Sequence, residues 1–275
     1  EEDERREVAI GMQSGPREPT EAEREWHNRS HEPFESWCSA CVLGRAKDDP
    51  HRRFREGMES DLGHCTVQID YFFMKTRRDA VVGTFMSAVD SYWGRCRAIR
   101  VDTKGAKSEY TVKWLTNFCK SLGVEKLYIR SDPENACADV ISAVNATLPW
   151  AMPQFTAKGS KQSLGRAEGM HAILEAKSRT FLEQLKEDYA LSHVPVTHPL
   201  VEWLVRHSAW TQERFSIGKD KRTAYERHQL RDYGSHVVKF GETVVWRSPG
   251  PIQTKLDTHW GYGIWLGRDP ESDQH

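Results

Sequence analysis

The sequence predicts an α/β fold in which a mixed five-stranded sheet is flanked by helices. Apolar and β-branched runs predict strands over residues 66–74, 81–89, 96–101, 126–132 and 152–157. Amphipathic patterns predict helices over 108–122, 135–147, 165–185 and 198–215. Short polar turns join the first three strands, which indicates an antiparallel meander, whereas a helix joins the third strand to the fourth and indicates a crossover connection.

Three acidic residues occupy special places in these elements. Asp70 lies inside the first strand, Asp132 ends the fourth, and Glu168 is in the first turn of the long helix. Sixty-one residues separate the first pair and thirty-five the second. A lone carboxylate in an apolar strand is costly to bury unless it is paired or binds a metal. Two strands and a helix can therefore bring three carboxylates to one cluster of hard cations.

The segment that leads into Glu168 carries a second signal, with Ser160, Gln162, Ser163 and Gly165 at fixed distances before the acid. The three acids, the last gap and this segment together resemble the integrases of retroviruses and long-terminal-repeat retrotransposons. The similarity is closest to copia-type elements and covers roughly residues 25–267. It implies that the predicted sheet belongs to a ribonuclease-H-like core.

The resemblance also implies an activity, that of a polynucleotidyl transferase which joins retroelement cDNA ends to target DNA. Two Mg²⁺ (or Mn²⁺) ions would serve it, Asp70 bridging both while Asp132 and Glu168 hold one each. Two alternatives stay open. A nuclease of the same fold needs a fourth acid, for which Glu134 and Asp139 are the candidates. A domesticated or inactive copy would bind DNA without catalysis.

The loop before the long helix is rich in Gly, Ser and Lys, which suits close approach of a nucleic-acid strand. The residues predicted to contact DNA are Lys158, Lys161, Gln162, Ser163 and Arg166. Further along the helix, the same-face positions are Ala172 and Glu175, where retroviral relatives often present lysine. Lys177 and Arg179 are the remaining positive charges nearby.

The N-terminal part contains possible zinc ligands. His27 and His31 are one helical turn apart, and Cys38 and Cys41 form a Cys-x-x-Cys pair, the usual half-site for structural zinc. The resemblance implies a small zinc-held module, although the gap of six residues between His31 and Cys38 is shorter than in retroviral relatives. Replacement of one ligand by His51, His64 or Cys65 stays open, as do surface histidines beside a free cysteine pair.

These features predict five regions. They are a disordered tail (1–24), a zinc module with a basic linker (25–56), the catalytic core (62–190), a helical extension (191–230) and a C-terminal β segment (235–275). The resemblance implies a small SH3-like barrel, truncated here, for the last region. Trp246, Trp260 and Trp265 are predicted to fill that barrel rather than to stack on bases.

Composition narrows the functional classes. The net charge of −1 in 275 residues combines −6 over residues 1–35 with +5 over the rest, which suits a phosphate-contacting surface. No apolar run reaches membrane-spanning length, and six cysteines in a chain of this size indicate a reduced intracellular protein. We expect DNA as partner, a homo-oligomer, no membrane and a nuclear location. The first residue is not Met, so we also expect a piece of a longer polyprotein.

Overall fold

The computed structural model describes residues 17–45, 65–156, 164–247 and 258–274. Its central sheet has five strands: β1 (Cys65–Met74), β2 (Gly83–Asp90), β3 (Cys96–Arg100), β4 (Leu127–Ser131) and β5 (Ala151–Phe155). They lie in the order β3-β2-β1-β4-β5. The first three are antiparallel neighbours, and β4 and β5 run parallel to β1. The predicted mixed sheet with its antiparallel meander is confirmed.

Seven helices accompany the sheet in the described residues. They are α1 (Glu21–His27), α2 (Ser39–Arg45), α3 (Glu109–Ser121), α4 (Asn135–Thr147), α5 (Gly165–Tyr189), α6 (Pro199–Phe215) and α7 (Ala224–Gln229). Ser108 caps α3 by accepting a hydrogen bond from the Thr111 N–H, and Gly123, at φ +66°, follows its end. The four helices predicted from amphipathic patterns are present as α3, α4, α5 and α6.

The two faces of the sheet are covered by different helices. Val67 and Ile69 of β1 join an apolar core with residues of α3 and α4. Phe72 joins a second core with residues of α5 and α6. Side chains alternate across a strand, so the even-numbered Gln68 and Asp70 share the face of Phe72. The alternation of β1 thus turns Asp70 toward the layer that contains α5.

The N-terminal tail ends earlier than composition predicted. Helix α1 begins at Glu21, inside the stretch expected to be disordered up to residue 24. Thr20 and Glu23 form a reciprocal capping box that satisfies two free N–H groups at this helix start. High charge was therefore a poor guide here, since the same polar residues serve as a helix cap.

The C-terminal region contains an antiparallel pair, β6 (Thr243–Arg247) and β7 (Trp260–Ile264). Residues 248–257 lie outside the described part, so the SH3-like barrel stays a prediction. Trp265 is buried and packs edge-on against His207 of α6. Trp246 and Trp260 are 47% and 58% exposed, so the prediction that they fill a core is wrong. Two described strands alone offer no opposing layer to cover them.

A buried charge cluster ties α6 to the start of β3. Glu213 is 1% exposed and lies among three arginines: it forms ion pairs with Arg95, Arg97 and Arg214. The Pro270 carbonyl accepts hydrogen bonds from Arg97 (3.2 Å) and Arg214 (3.3 Å). We call these four charged side chains the Glu213 cluster. The Glu213 cluster links β3, an outer strand of the sheet, to α6 and to the end of the described chain.

All six cysteines are free and buried. Among the described residues, no helix combines the length and apolar character that crossing a membrane requires.

Candidate active site and metal centre

The three predicted acids come from three elements around one edge of the sheet. Asp70 lies in β1 opposite Ser87 of β2, and Asp132 directly follows β4. Because β1 and β4 are parallel neighbours, their carboxyl ends point the same way, and Asp132 lies at the carboxyl end of β4. We call this side of the sheet the edge that bears the acids. Glu168 lies in the first turn of α5, the helix that packs on the Asp70 face.

Electrostatics show that these acids influence one another. Burial raises the pKa of Asp70 to about 6, and the charges of Asp132, Glu134 and Glu168 contribute to the increase. The Tyr71 N–H, which donates to Asp70 Oδ1 at 2.8 Å, opposes this increase. The carboxyl group of Asp70 is therefore the one on which the local negative charge converges.

The three carboxylates are neighbours but do not form a compact cluster. Asp132 and Glu168 are exposed, and Asp132 Oδ1 accepts a hydrogen bond from Thr156 Oγ1 at 2.9 Å. Within the described part of the chain, the His, Cys, Asp and Glu side chains grouped closely enough to hold a metal belong to the N-terminal module instead. Mutual repulsion between like charges, together with exposure of two of the three, accounts for the looser arrangement.

The two candidates for a fourth acid differ in position. The charge of Glu134 acts on Asp70, while Glu134 itself pairs with Lys104 at 2.7 Å. Burial raises the pKa of Tyr71, and the charges of Glu134 and of Asp139, both exposed, contribute to this increase, but Asp139 is not among the acids that raise the pKa of Asp70. Glu134 is thus the candidate that the fold brings to the edge that bears the acids.

The predicted DNA contacts, and the positive charges near them, differ in where they lie in the structure. Arg166 is exposed in the first turn of α5. The loop residues Lys158, Lys161, Gln162 and Ser163 lie outside the described residues. Lys177, named from the sequence only as a nearby positive charge, is 2% exposed and pairs with Glu32, so its charge is not available to DNA. Its helix position faces the N-terminal module, which sequence distance concealed.

The four predicted zinc ligands converge in the N-terminal module. His27, His31, Cys38 and Cys41 are all buried, and their ligand atoms lie within 4.8 Å of one another. His31 Nδ1 is 3.5 Å from Cys38 Sγ and 3.6 Å from Cys41 Sγ, while His27 Nε2 is 3.3 Å from Cys41 Sγ. Two imidazole nitrogens and two sulfurs in one closed group match the donor set of structural zinc.

The structure places only one of the three alternative zinc ligands, Cys65. Cys65 belongs to β1 and is buried in the core that faces α3 and α4. His51 and His64 lie outside the described residues. Hydrogen bonding from Cys41 is the largest cause that lowers the pKa of the Cys38 thiol, whereas hydrogen bonding with Cys38 raises the pKa of the Cys41 thiol. The Cys38 thiolate is thus the sulfur that is best suited to bind a cation.

The module is docked on the C-terminal half of α5. His31 turns its second ring nitrogen, Nε2, to Gln184 Oε1, and Gln184 Nε2 reaches the Phe240 carbonyl at 3.4 Å. Glu32 receives both Lys177 of α5 and Arg45 of α2, which lower its pKa against the effect of burial. The predicted zinc ligand His31 and its neighbour Glu32 are thus fixed by residues of the core.

Close helix packing at Gly44 completes this docking. A Cβ atom at Gly44 would lie 2.7 Å from the Thr180 backbone nitrogen and 2.8 Å from its Cα. We expect Gly44→Ala to force α2 away from α5 and to lower the free energy of unfolding by about 1–3 kcal/mol. Chemical denaturation measures this change. Gly169→Ala is the matched control, since nothing lies within 4 Å of its Cβ; we expect it to stabilise α5 by up to about 1 kcal/mol. Equal effects would refute the tight contact.

Several residues of the site were not predicted from the sequence. Thr156 holds Asp132, Gln68 contacts the start of α5, and Gln184 holds His31. His171 of α5 contacts Ser87, which pairs with Asp70. Two signals were available: Gln68 is two residues before Asp70 on the same strand face, and His171 follows Glu168 by three, one helical turn. Nothing local marks Thr156 or Gln184.

Comparison with solved structures finds integrases of retroviruses. One is the HTLV-2 integrase catalytic core domain in complex with magnesium, in its trimeric form, at 13% identity over 60% of this chain and 95% of that chain, with a TM-score of 0.41. Another is the simian T-cell lymphotropic virus intasome in complex with PP2A regulatory subunit B56 gamma, at 18% identity over 84% and 78%, with a TM-score of 0.46.

The catalytic core domain of BIV integrase is similar at 15% identity over 60% of this chain and 93% of that chain, with a TM-score of 0.40. No family model and no curated protein matches the sequence. The fold class rests on the strand order and strand directions described above.

Proposed function

We propose that this chain is an integrase, a metal-dependent polynucleotidyl transferase that joins DNA ends to target DNA, with Asp70, Asp132 and Glu168 as its catalytic acids. One observation carries the proposal: acids far apart in the sequence come to one edge of the sheet, where their charges act on Asp70. The sequence resemblance to copia-type elements supports it, and suggests DNA made by a retrotransposon as the donor.

The donor set fits a divalent cation. Asp70, Asp132 and Glu168 offer carboxylate oxygens, the ligands that Mg²⁺ and Mn²⁺ prefer. A carboxyl group whose pKa is raised by burial and by neighbouring acids gains from a nearby cation, as Asp70 would. Such ions, when bound, polarise a phosphoryl group and activate the attacking hydroxyl.

The chain's own residues prepare this site. Thr156 orients the Asp132 carboxylate, and the Tyr71 N–H orients that of Asp70. Lys104 pairs with Glu134 and so partly neutralises a further acid whose charge acts on Asp70. These contacts leave the Asp70, Asp132 and Glu168 oxygens as the ligand set.

We further propose that His27, His31, Cys38 and Cys41 bind one structural zinc ion. Among the residues that the structure describes, the group consists of these four buried donors, the number that completes a structural zinc site, so the metal would stabilise the module rather than act in catalysis. Gln184 then fixes the orientation of the His31 ring from outside the ligand set.

DNA is the proposed partner. Exposed Arg166 stands beside the proposed catalytic edge, and Lys158, Lys161, Gln162 and Ser163 precede it in the sequence. Lysine and arginine would hold phosphates in register without reading bases. A homo-oligomer and a nuclear location complete the proposal.

A ribonuclease-H-like nuclease is the second candidate. Glu134 favours it, because the charge of this fourth acid acts on Asp70 together with those of Asp132 and Glu168. The pairing of Glu134 with Lys104 at 2.7 Å speaks against a metal ligand at this position. Products tell the two functions apart, since a nuclease releases fragments whereas an integrase forms joined strands.

A strand-transfer assay on a labelled duplex oligonucleotide with Mg²⁺ tests the function. We expect joined products from the parental chain and none above background from Asp132→Asn or Glu168→Gln, because each change removes a proposed metal ligand. Glu187→Gln is the matched control, as an exposed acid near the other end of α5. Joined products from Asp132→Asn would refute the catalytic assignment. Hydrolysis that needs Glu134 would establish the nuclease.

A further inference from the structure

The N-terminal end of α5 receives a side-chain hydrogen bond from another element of the fold. Leu164 occupies the N-cap position and provides no side-chain hydrogen bond. The first N–H groups of a helix have no partner inside it, so they need one from elsewhere. Gln68 of β1 supplies it: its Oε1 accepts the Ala167 N–H at 3.2 Å. Both residues are buried. A strand residue therefore caps the helix that carries Glu168.

A second contact holds the next turn of the same helix. His171 Nε2 lies 2.8 Å from the hydroxyl oxygen of Ser87, a residue of β2 with no exposed surface. The imidazole also stacks on Phe72 of β1, with 4.8 Å between ring centroids and 22° between planes. The polar and the aromatic contact together fix both the position and the tilt of this ring.

The residues of these two contacts lie on both sides of Asp70 in β1 and on both sides of Glu168 in α5. Gln68 and Phe72 are the same-face residues before and after Asp70 on β1, and Ser87 is its cross-strand partner. On the helix, Ala167 immediately precedes Glu168 and His171 follows it by one turn. The backbone of Glu168 is thus held on either side by residues that flank Asp70, while its exposed carboxylate stays free to bind.

We propose that Gln68 and His171 are positioning residues that set where Glu168 delivers its carboxylate relative to Asp70. The two contacts, Gln68 with Ala167 and His171 with Ser87, are called the α5 anchor. The inference rests on the proposed function, because the α5 anchor would position ligands of the proposed metal site as well as stabilise the fold. Neither side chain is a metal ligand in this proposal.

The test measures Mg²⁺ binding by calorimetry on the whole chain without DNA. We expect Gln68→Met and His171→Ala each to raise the half-saturating Mg²⁺ concentration by about 10-fold or more, because residues that orient metal ligands have effects of this size. His171→Asn keeps a polar group toward Ser87 and should recover most of the binding. The strand-transfer activity of both variants should likewise require a higher Mg²⁺ concentration, and it should recover when Mg²⁺ is high.

The control separates positioning from stability. Ser178→Ala removes another buried hydrogen bond of α5, the one between the Ser178 and Ser208 hydroxyls at 3.1 Å. We expect this variant to lower the melting temperature about as much as His171→Ala and to bind Mg²⁺ like the parental chain. In a double-mutant cycle, Ser87→Ala and His171→Ala should not be additive in Mg²⁺ binding, because they remove one contact.

Two failures are distinguishable. A parental chain whose Mg²⁺ binding is unaffected by Glu168→Gln would overturn the proposed metal site itself. A chain that responds to Glu168→Gln, but binds Mg²⁺ unchanged in Gln68→Met and His171→Ala, would overturn the α5 anchor alone. An equal rise of the half-saturating Mg²⁺ concentration in Ser178→Ala would also overturn the α5 anchor, because loss of stability alone would then explain the effect.

Discussion

Removal of zinc from the N-terminal module should unfold α1 and α2. The apolar core of this module consists of Cys38, Ala40 and Cys41 with Trp37 packed against them, and two of these are proposed metal ligands. So small a core stabilises little by itself, whereas structural zinc contributes about 10–16 kcal/mol of binding free energy at pH 7. The metal would therefore supply most of the folding free energy of the module.

Hydrogen exchange followed by mass spectrometry measures this effect, alongside metal analysis of the same sample. With chelator, peptides from residues 21–45 should lose protection, and zinc should fall from one per chain to none. Peptides around Lys177 and Gln184 should exchange faster as well, since these residues of α5 lose their partners Glu32 and His31. Added zinc should restore both regions.

A cysteine pair provides the matched control. Cys41→Ser should abolish zinc binding, whereas Cys65→Ser alters an equally buried thiol in β1 and should keep one zinc per chain. A module that keeps its protection after the zinc is gone would contradict the proposed role. So would a folded parental chain with less than one zinc.

Replacement of Glu213 should produce the largest loss of stability in the core. In Glu213→Gln the carboxylate shared by Arg95, Arg97 and Arg214 disappears, and their charges remain buried beside a neutral amide. Breaking a buried ion pair in this way costs about 3–5 kcal/mol. Urea denaturation at pH 7 measures the loss. Glu202→Gln on the same helix is the control, with an expected loss of at most about 1 kcal/mol.

The dependence on pH gives an independent check. Burial tends to raise the pKa of Glu213, but Arg97, Arg95 and Arg214 outweigh it and lower the pKa from 4.5 to about 2. A lowered pKa means that the unfolded chain binds the proton more tightly, so this stabilisation is complete above pH 4.5 and is lost as pH falls toward 2. The difference between parental chain and Glu213→Gln should shrink across that window. A constant difference would contradict the ion-pair explanation.

The sheet and its flanking helices follow from local sequence signals. The period of apolar residues located β1 to β4 and α3 to α5, since each element buries one face against its neighbour. The zinc ligands were also locally visible, because His27 with His31 and Cys38 with Cys41 are each spaced to face one point. Local spacing sufficed for these features.

Contacts between distant segments could not be read in the same way. Gln68 and Ala167 are 99 positions apart, and His31 and Gln184 are 153 apart. Lys177 was noted only as a positive charge near the loop, because the sequence does not reveal Glu32, the distant partner beside which it is buried. Trp246 shows the reverse error: an aromatic residue in a strand remains exposed without an opposing layer.

The hydrogen bond from Arg97 to the Pro270 carbonyl also constrains how the protein matures on the ribosome. The two residues are 173 positions apart. At the usual ~5–20 residues per second, the end of this contact emerges on the order of 10–30 s after its beginning. During that interval β3 carries an arginine whose final acceptor does not yet exist, and α6, with Glu213, is also made after β3. The β3 side of the sheet therefore reaches its native state only after Pro270 has been made, and a nascent chain that is cut before Pro270 would leave this side incomplete.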